Sequence, residues 1–281
     1  MLSLDPNSIP VPKLHGYLLG AVAPRPICFA STVDADGKVN LSPYSFFNVF
    51  SANPPVMIFS PARRVRDNTI KHTLENVMQT KEVVINIVSY DMVQQMSLSS
   101  TEYARGVNEF EKAGFTELPS EVVKPPRVAE SPAQFECVVK DVIHLGEEGG
   151  AGNLVIAHVV RVHLKEHILD SEGHIDPARL DAVSRLGGNW YGRAKEGLFE
   201  VPKPLRTLGI GVDALPHAVR NSKVLTGNDL GQLGNLEALP EADALGKWKH
   251  KGTEQEIHEA AREMIAAGKV SEALHLLVAN S

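Results

Sequence analysis

The sequence predicts a mainly β fold, a small barrel of antiparallel strands followed by a C-terminal helical extension. Three observations carry this expectation. The first 200 residues fall into short β-rich runs separated by turn residues. A helical period intervenes between the third and fourth runs, and the remaining connections suit antiparallel pairing, which favours a barrel over a doubly wound parallel sheet. After Pro202 and Pro204 the pattern changes to amphipathic helices, so residues 1–204 are expected as the barrel domain and 205–281 as the extension.

The elements follow in order. Ile27 to Val33 reads as a strand, and Asp34-Ala35-Asp36-Gly37 as a hairpin turn, because Asp and Gly tolerate the backbone angles a tight turn needs. Val39 to Val49 is a second run with Pro43 inside it. A proline cannot donate to a ladder, which makes this an edge, a bulge or a broken strand. Pro55 to Ser60 is the third strand. Over Thr69 to Thr80 the apolar residues Ile70, Leu74, Val77 and Met78 fall on one helical stripe. Glu82 to Val88 reads as a buried strand and Tyr90 to Ser100 as a helix. Ala133 to Leu145 and Leu154 to Leu164 are two long strands. Period-two reading places Leu154, Ile156, His158, Val160, Val162 and Leu164 on an apolar inner face. In the tail, Ile257, Ala260, Ala261, Met264 and Ile265 share a helix face, Gly268 ends that helix, and Val270 begins a second, giving an αα-hairpin.

Composition excludes several classes. The chain has 281 residues, 43% hydrophobic and 22% charged, as in ordinary globular domains, with a net charge of −6. A basic footprint for nucleic acid is absent. No run of 18 apolar residues predicts a membrane helix. The N-terminal MLSLDPNSIPVP lacks the pattern of a signal peptide. Cys28 and Cys137 form neither a disulfide framework nor a CxxC motif, and a cytoplasmic setting is expected.

Familiar catalytic signatures fail on context. Gly209-Ile-Gly211-Val-Asp-Ala214 approaches a dinucleotide fingerprint, but Pro216 follows and no βαβ pattern surrounds it, so a plain turn is expected. His163 and His167 sit on an extended run, where four residues span about 13 Å, too far to share one ion. No metal site and no GxSxG elbow are expected. Arg25, Ser31, Thr32, Asn40, Ser42, Ser45 and Ser60 crowd the ends of neighbouring strands, and Arg63, Arg64, Arg66, Lys71 and Thr73 follow. Cations, hydroxyls and a helix N-terminus suit an anionic phosphate, and the same composition suits a solvated loop. His158 reads as a core histidine or a site residue. The Asn189–Arg193 aromatic loop reads as a pocket wall or a plain corner, and Cys28 as an inert core thiol.

Ordered motifs then add a resemblance. Pro24-Arg25-Pro26-Ile27 with Ser31-Thr32, Asn40-Leu41-Ser42-Pro43-Tyr44-Ser45-Phe46-Phe47-Asn48, Pro54 to Ser60, and Lys71-His72-Thr73-Leu74-Glu75-Asn76-Val77 follow one another in sequence. Together they resemble flavin reductase-like proteins with the FMN-binding split barrel, near the flavoredoxin branch, over Leu14 to Tyr191. His72 departs from the family, whose members commonly carry Asp there. The resemblance implies a homodimeric split barrel with FMN near the subunit interface. It implies a cofactor set of Arg25, Thr32, Asn40, Ser42, Ser45, Phe46, Phe47, Ser60, Arg63, Lys71 and Thr73. The Ser42–Phe47 segment would face the ring, and Lys71 and Thr73 the phosphate. It further implies hydride transfer from NADH or NADPH to flavin or another acceptor, with His158 and Tyr191 shaping the nicotinamide side and no dedicated acid or base. The alternative is a flavoredoxin-like electron carrier served by a partner protein. A third reading is a barrel that keeps no ligand and serves only for dimerisation.

Overall fold

A computed structural model describes residues 1–201, 204 and 208–281. Two compact units result, Met1–Phe199 and Glu200–Ser281. The boundary expected at Leu205 lies outside the described residues.

The first unit is built on one seven-stranded sheet. Its strands are β1 (Cys28–Val33), β2 (Val39–Tyr44), β3 (Phe47–Ala52), β4 (Pro55–Phe59), β5 (Glu82–Ile87), β6 (Ala133–His144) and β7 (Asn153–Leu164). Their order is β2-β1-β5-β6-β7-β4-β3, and every neighbouring pair is antiparallel. The β1–β2 turn forms as its residues dictate: the Asp34 carboxylate accepts from the N–H groups of Asp36 and Lys38, and Gly37 takes φ 82°. The two outermost strands, β2 and β3, are consecutive in the chain and do not pair. Only Ser45 and Phe46 separate them, so the sheet rolls around its core and stays open along that seam. Pro43 sits on the edge strand β2, where a missing N–H costs no ladder bond on the outer side.

Inside the roll, Cys28, Ala30, Tyr44, Met57, Phe59, Ile85, Cys137, Val139, Val155 and Ala157 make a continuous core. Helix α2 (His72–Thr80) plugs one end with Leu74 and Val77, on the stripe that the sequence shows. Two buried polar clasps hold it to the sheet: Asn40 Nδ2 donates to Thr73 Oγ1 at 2.8 Å, and Asn76 Nδ2 to Thr32 Oγ1 at 3.1 Å. A second cluster around Phe29, Leu41, Met96 and Phe110 packs α3 (Val93–Leu98) and α4 (Glu109–Ala113) on the other side of β1 and β2.

The face expected to be the core of β7 is its outer one. Val155, Ala157 and Val159 point into the roll, while Val160, Val162 and Leu164 are exposed and His158 is half-buried. Both faces of β7 are apolar, so alternation alone does not choose between them, and bulges at Ile156/Ala157 and Val159/Arg161 shift the register as well. Helix α1 (Val11–Ala21) buries none of its residues in this chain and has no counterpart in the expected elements. A small sheet pairs Arg25–Pro26 with Val183–Arg185, and that strand with Tyr191–Arg193.

The second unit has its own core, with Leu215, Val219, Leu233, Ile257, Ala261, Ile265, Leu274 and Leu277 at its centre. Its αα-hairpin joins Glu254–Ala266 to Val270–Ala279, with a reciprocal cap between Thr253 and Glu256 and Gly268 at φ 77°. The Gly209–Ala214 stretch carries a short 3-10 turn, and among the described residues no strand lies between Arg193 and it. No helix among the described residues is long and apolar enough to cross a membrane.

One buried carboxylate pins a long loop to the sheet. Glu136, on β6, has no exposed surface; it accepts from the N–H groups of Glu121, Val122 and Val123 and from His163 Nε2 at 2.7 Å. Burial alone would raise its pKa, but these four donors outweigh it and hold the carboxyl below its usual range. Stability from a depressed carboxyl is present above the unfolded pKa of about 4.3 and is lost as pH falls through the lower native value. Glu136→Gln is therefore expected to lower unfolding free energy by about 1–3 kcal/mol at pH 7. The gap to wild type should narrow at pH 3, read by urea denaturation at both pH values.

Candidate functional site

The open seam is also where the hollows of the first unit gather. A cavity of about 540 Å³ is bounded by Pro43, Tyr44 and Ser45 at the end of β2, by Gln94, Ser97 and Ser100 on and after α3, and by Arg185 and Tyr191 of the small sheet. A second, of about 250 Å³, shares Tyr44, Ser45 and Arg185 and adds Arg25, Phe46, Ser60 and Lys71. A third, about 30 Å³, shares Lys71 and Ser100 and reaches Asn40, Ser42, Arg64, Thr73 and Thr101. The shared residues make these three one irregular cleft, and its volume lies in the range of small-molecule sites.

Charge along the cleft is uneven. Lys71, at the N-terminus of α2, makes neither an ion pair nor a hydrogen bond among the described residues. Its Nζ rests 5.0 Å from the centre of the Tyr44 ring. Burial, then the neighbouring Arg64, lower its pKa. Arg25 is buried without a carboxylate; it donates to the carbonyls of Leu19 at 2.6 Å, Val22, and Leu186 at 3.1 Å, and to Ser45 Oγ at 3.4 Å. Burial, with Arg185 alongside, makes its charged form less favourable too. Arg64 is neutralised by Glu102 at 3.1 Å, and Glu109 is buried with its carboxylate on the Leu41 N–H and its pKa raised by burial. The Tyr44 hydroxyl is buried with no hydrogen-bond partner among the described residues, and burial keeps it protonated. At the seam, the N–H groups of Ser45 and Phe46 find no acceptor among the described residues.

The sequence-derived site residues divide by this geometry. Arg25, Asn40, Ser42, Ser45, Phe46, Ser60, Lys71, Thr73 and Tyr191 all line the cleft. Within that set, Asn40 and Thr73 are already bonded to each other, and Ser60 Oγ accepts from the Asn153 N–H at 3.0 Å. Thr32, Phe47, Arg63 and His158 lie outside the lining. Thr32 is fully buried against Asn76, and Phe47 packs on the barrel core. Arg63 is spent on Asn68, at 2.6 Å to its side chain and 2.8 Å to its carbonyl, and Arg64 takes the lining position beside it. His158 is set on the outer face of β7. Gln94, Ser97, Ser100, Thr101 and Arg185 are additions. The sequence signal for Ser97, Ser100 and Thr101 is a run of hydroxyls at a helix end; for Arg185 there is no local signal.

The donor set suits a flavin nucleotide. Lys71 and the hydroxyls near it are cations and donors for a phosphate, and the unbonded N–H groups at Ser45 and Phe46 suit the polar edge of a ring.

The comparisons agree with this fold. A family model described as "Flavin reductase like domain" matches residues 20–179. An uncharacterized protein of Halalkalibacterium halodurans is 38% identical over 205 residues, covering 72% of this chain and 97% of that protein. Nitrilotriacetate monooxygenase component B from Bacillus cereus superposes with a TM-score of 0.67 at 33% identity, over 72% of this chain and 98% of that one. The 2-nitrobenzoate 2-nitroreductase NbaA of Pseudomonas fluorescens does so with a TM-score of 0.62 at 25% identity, over 74% of this chain and all of the other. With a family model matching more than half of its length, and with an open antiparallel roll whose seam carries the cleft, the chain belongs to the flavin reductase-like family of split-barrel proteins.

Proposed function

We propose that this chain is an FMN-dependent oxidoreductase that takes hydride from NADH or NADPH and passes the electrons to flavin or another small acceptor. The observation that carries the proposal is the cleft at the seam, where a partly buried cation without a counter-ion adjoins strand-end N–H groups without acceptors. A buried cation left unpaired costs free energy, and an anionic ligand offsets that cost. FMN, when bound, supplies the hydride and electron chemistry.

The protein's part is placement. Lys71 would neutralise the phosphate, with Ser42, Ser100 and Thr101 as hydroxyl partners. Asn40 and Thr73 act through each other: their hydrogen bond fixes the first turn of α2 and so the place of Lys71. Ser45 and Phe46 would meet the ring at the seam, and N–H groups aimed at its polar edge favour the negative charge that reduction brings. Tyr191 and Gln94 border the open side, where a nicotinamide would approach. No lining group would need to serve as acid or base; the part of this chain would be to hold the nicotinamide donor and the flavin in line.

Two copies are proposed to associate. Val160, Val162, Ile143 and Leu145 are exposed on the outer face of β6 and β7, and α1 leaves Val11, Tyr17 and Leu18 exposed. Exposed apolar side chains on a strand face and on a helix that buries nothing in its own chain suit contact with a second copy.

Four measurements test the reading. Purified protein should take up one FMN per chain and turn yellow; protein that stays colourless with added FMN would refute it. Lys71→Ala should weaken FMN binding about 10- to 100-fold, the loss of one charge-assisted contact, read by flavin fluorescence. Anaerobic NADH or NADPH should bleach the bound flavin, whereas no bleaching by either would favour the carrier. Sedimentation should give about 61 kDa, twice the 30.5 kDa chain, and Val160→Glu with Val162→Glu should shift it toward the monomer.

A further inference from the structure

Arg185 stands apart from the other arginines of the first unit. Seven of the ten, Arg64, Arg66, Arg105, Arg127, Arg161, Arg179 and Arg193, have a carboxylate within 4.0 Å. Arg63 is held by Asn68, and Arg25 by three backbone carbonyls. Arg185 has one hydrogen bond, from Nη1 to the Trp190 carbonyl at 2.9 Å, and no carboxylate within that distance among the described residues. Its position makes this costly. Its Cα is paired directly with that of Arg25 across the small sheet, and like charges opposite each other on neighbouring strands repel. A guanidinium has five N–H donors, so most of those of Arg185 are unspent.

The surroundings say what would use them. Arg185 lines both larger hollows of the cleft, and its guanidinium lies 4.6 Å from the centre of the Tyr191 ring. Tyr191 in turn forms a wall shared with an adjoining hollow of about 190 Å³, lined also by Tyr90, Val93 and Val183. Arg193, the arginine that lines that hollow, is closed off by three hydrogen bonds to Asp181 and one to Glu196, and it stacks on Tyr90. The unspent guanidinium of Arg185 instead faces the two larger hollows beside the Tyr191 ring, an arrangement suited to a flat ring that carries an anionic group. The phosphate of a resident nucleotide is already provided for at Lys71, so the anion at Arg185 belongs to a second ligand. Arg185 and Tyr191 also lie beyond the 20–179 segment that matches the family.

We propose that Arg185, braced by Tyr191, is a specificity-determining residue that selects a planar aromatic carboxylate as the second ligand of the cleft. This rests on the oxidoreductase reading given above, and the test separates the two. Full-length protein, with and without FMN, is titrated with 4-nitrobenzoate and with its neutral isostere 4-nitrobenzamide. Binding is followed by calorimetry in both forms and by the flavin spectrum in the loaded one. Wild type should bind the carboxylate at least tenfold more tightly than the amide. Arg185→Gln should bring the two within twofold of each other, and Arg185→Lys should keep part of the preference.

Equal affinity in wild type, no binding of either compound, or a preference that survives in Arg185→Gln would overturn the proposal. So would a parallel loss of FMN and of both compounds in Arg185→Gln, which would make Arg185 a cofactor ligand. Selective loss of NADH affinity with the benzoate preference intact would assign the anion to the nucleotide donor and overturn it too. Protein that takes up no FMN but shows the preference by calorimetry, lost in Arg185→Gln, would keep Arg185 and discard the flavin reading.

Discussion

Everything at this site depends on a sheet that does not close. β2 and β3 are the two edges of the roll and are joined by Ser45 and Phe46 alone, yet they form no ladder: the chain passes from one edge to the other instead of turning back as a hairpin. A paired seam would consume the backbone donors there. An unpaired one leaves them beside the strand end, together with whatever side chains the flanking elements bring. Pro43 reinforces the opening, because an edge strand with a proline is a poor template for another strand. The seam is thus both a protection against further pairing and the origin of the cleft.

The electrostatics follow from that opening. Seven of the ten arginines of the first unit have a carboxylate within 4.0 Å, and two of the other three, Arg25 and Arg185, lie at the seam with Lys71. Desolvation works against Lys71 and Arg25, and Arg25 is held in place by three backbone carbonyls. The buried Asn40–Thr73 and Thr32–Asn76 bonds explain how the strain is held. They anchor the helix that presents Lys71, so the cation cannot easily swing into water. Polar residues that look like ligands in the sequence therefore serve as the frame behind the ligands.

That distinction marks how far the sequence is legible. Strand positions, the Asp34–Gly37 turn, helix α2 and the C-terminal αα-hairpin are written in period and turn chemistry, and they form where those signals lie. The inward face of β7 is not, because Leu154, Ile156 and Val160 are as apolar as Val155, Ala157 and Val159 and only closure of the roll chooses between them. Helix α1 escapes for a related reason: a helix that buries nothing in its own chain has no stripe against which a periodic reading can be checked. Within the cleft, Ser42, Ser45, Phe46 and Lys71 come from one contiguous stretch and are readable as a group. Arg185 is brought in by a strand 140 residues further on through its pairing with Arg25, a long-range contact that no local pattern encodes.

The choice between Arg63 and Arg64 shows the same limit at the scale of one residue. Both are arginines at the mouth of the same loop, and composition treats them alike. Their roles separate because Asn68, at φ 58°, turns its side chain and its carbonyl onto Arg63. Arg64 is left to reach Thr69, the Ile70 carbonyl and Glu102, which puts it on the wall beside Lys71. Beside Lys71, Arg64 and Glu102 act in opposite directions, so burial is the main effect on that ammonium. The loop thus brings Arg64 to the wall already paired with Glu102, and what the wall presents depends on how the loop folds as much as on how many arginines it holds.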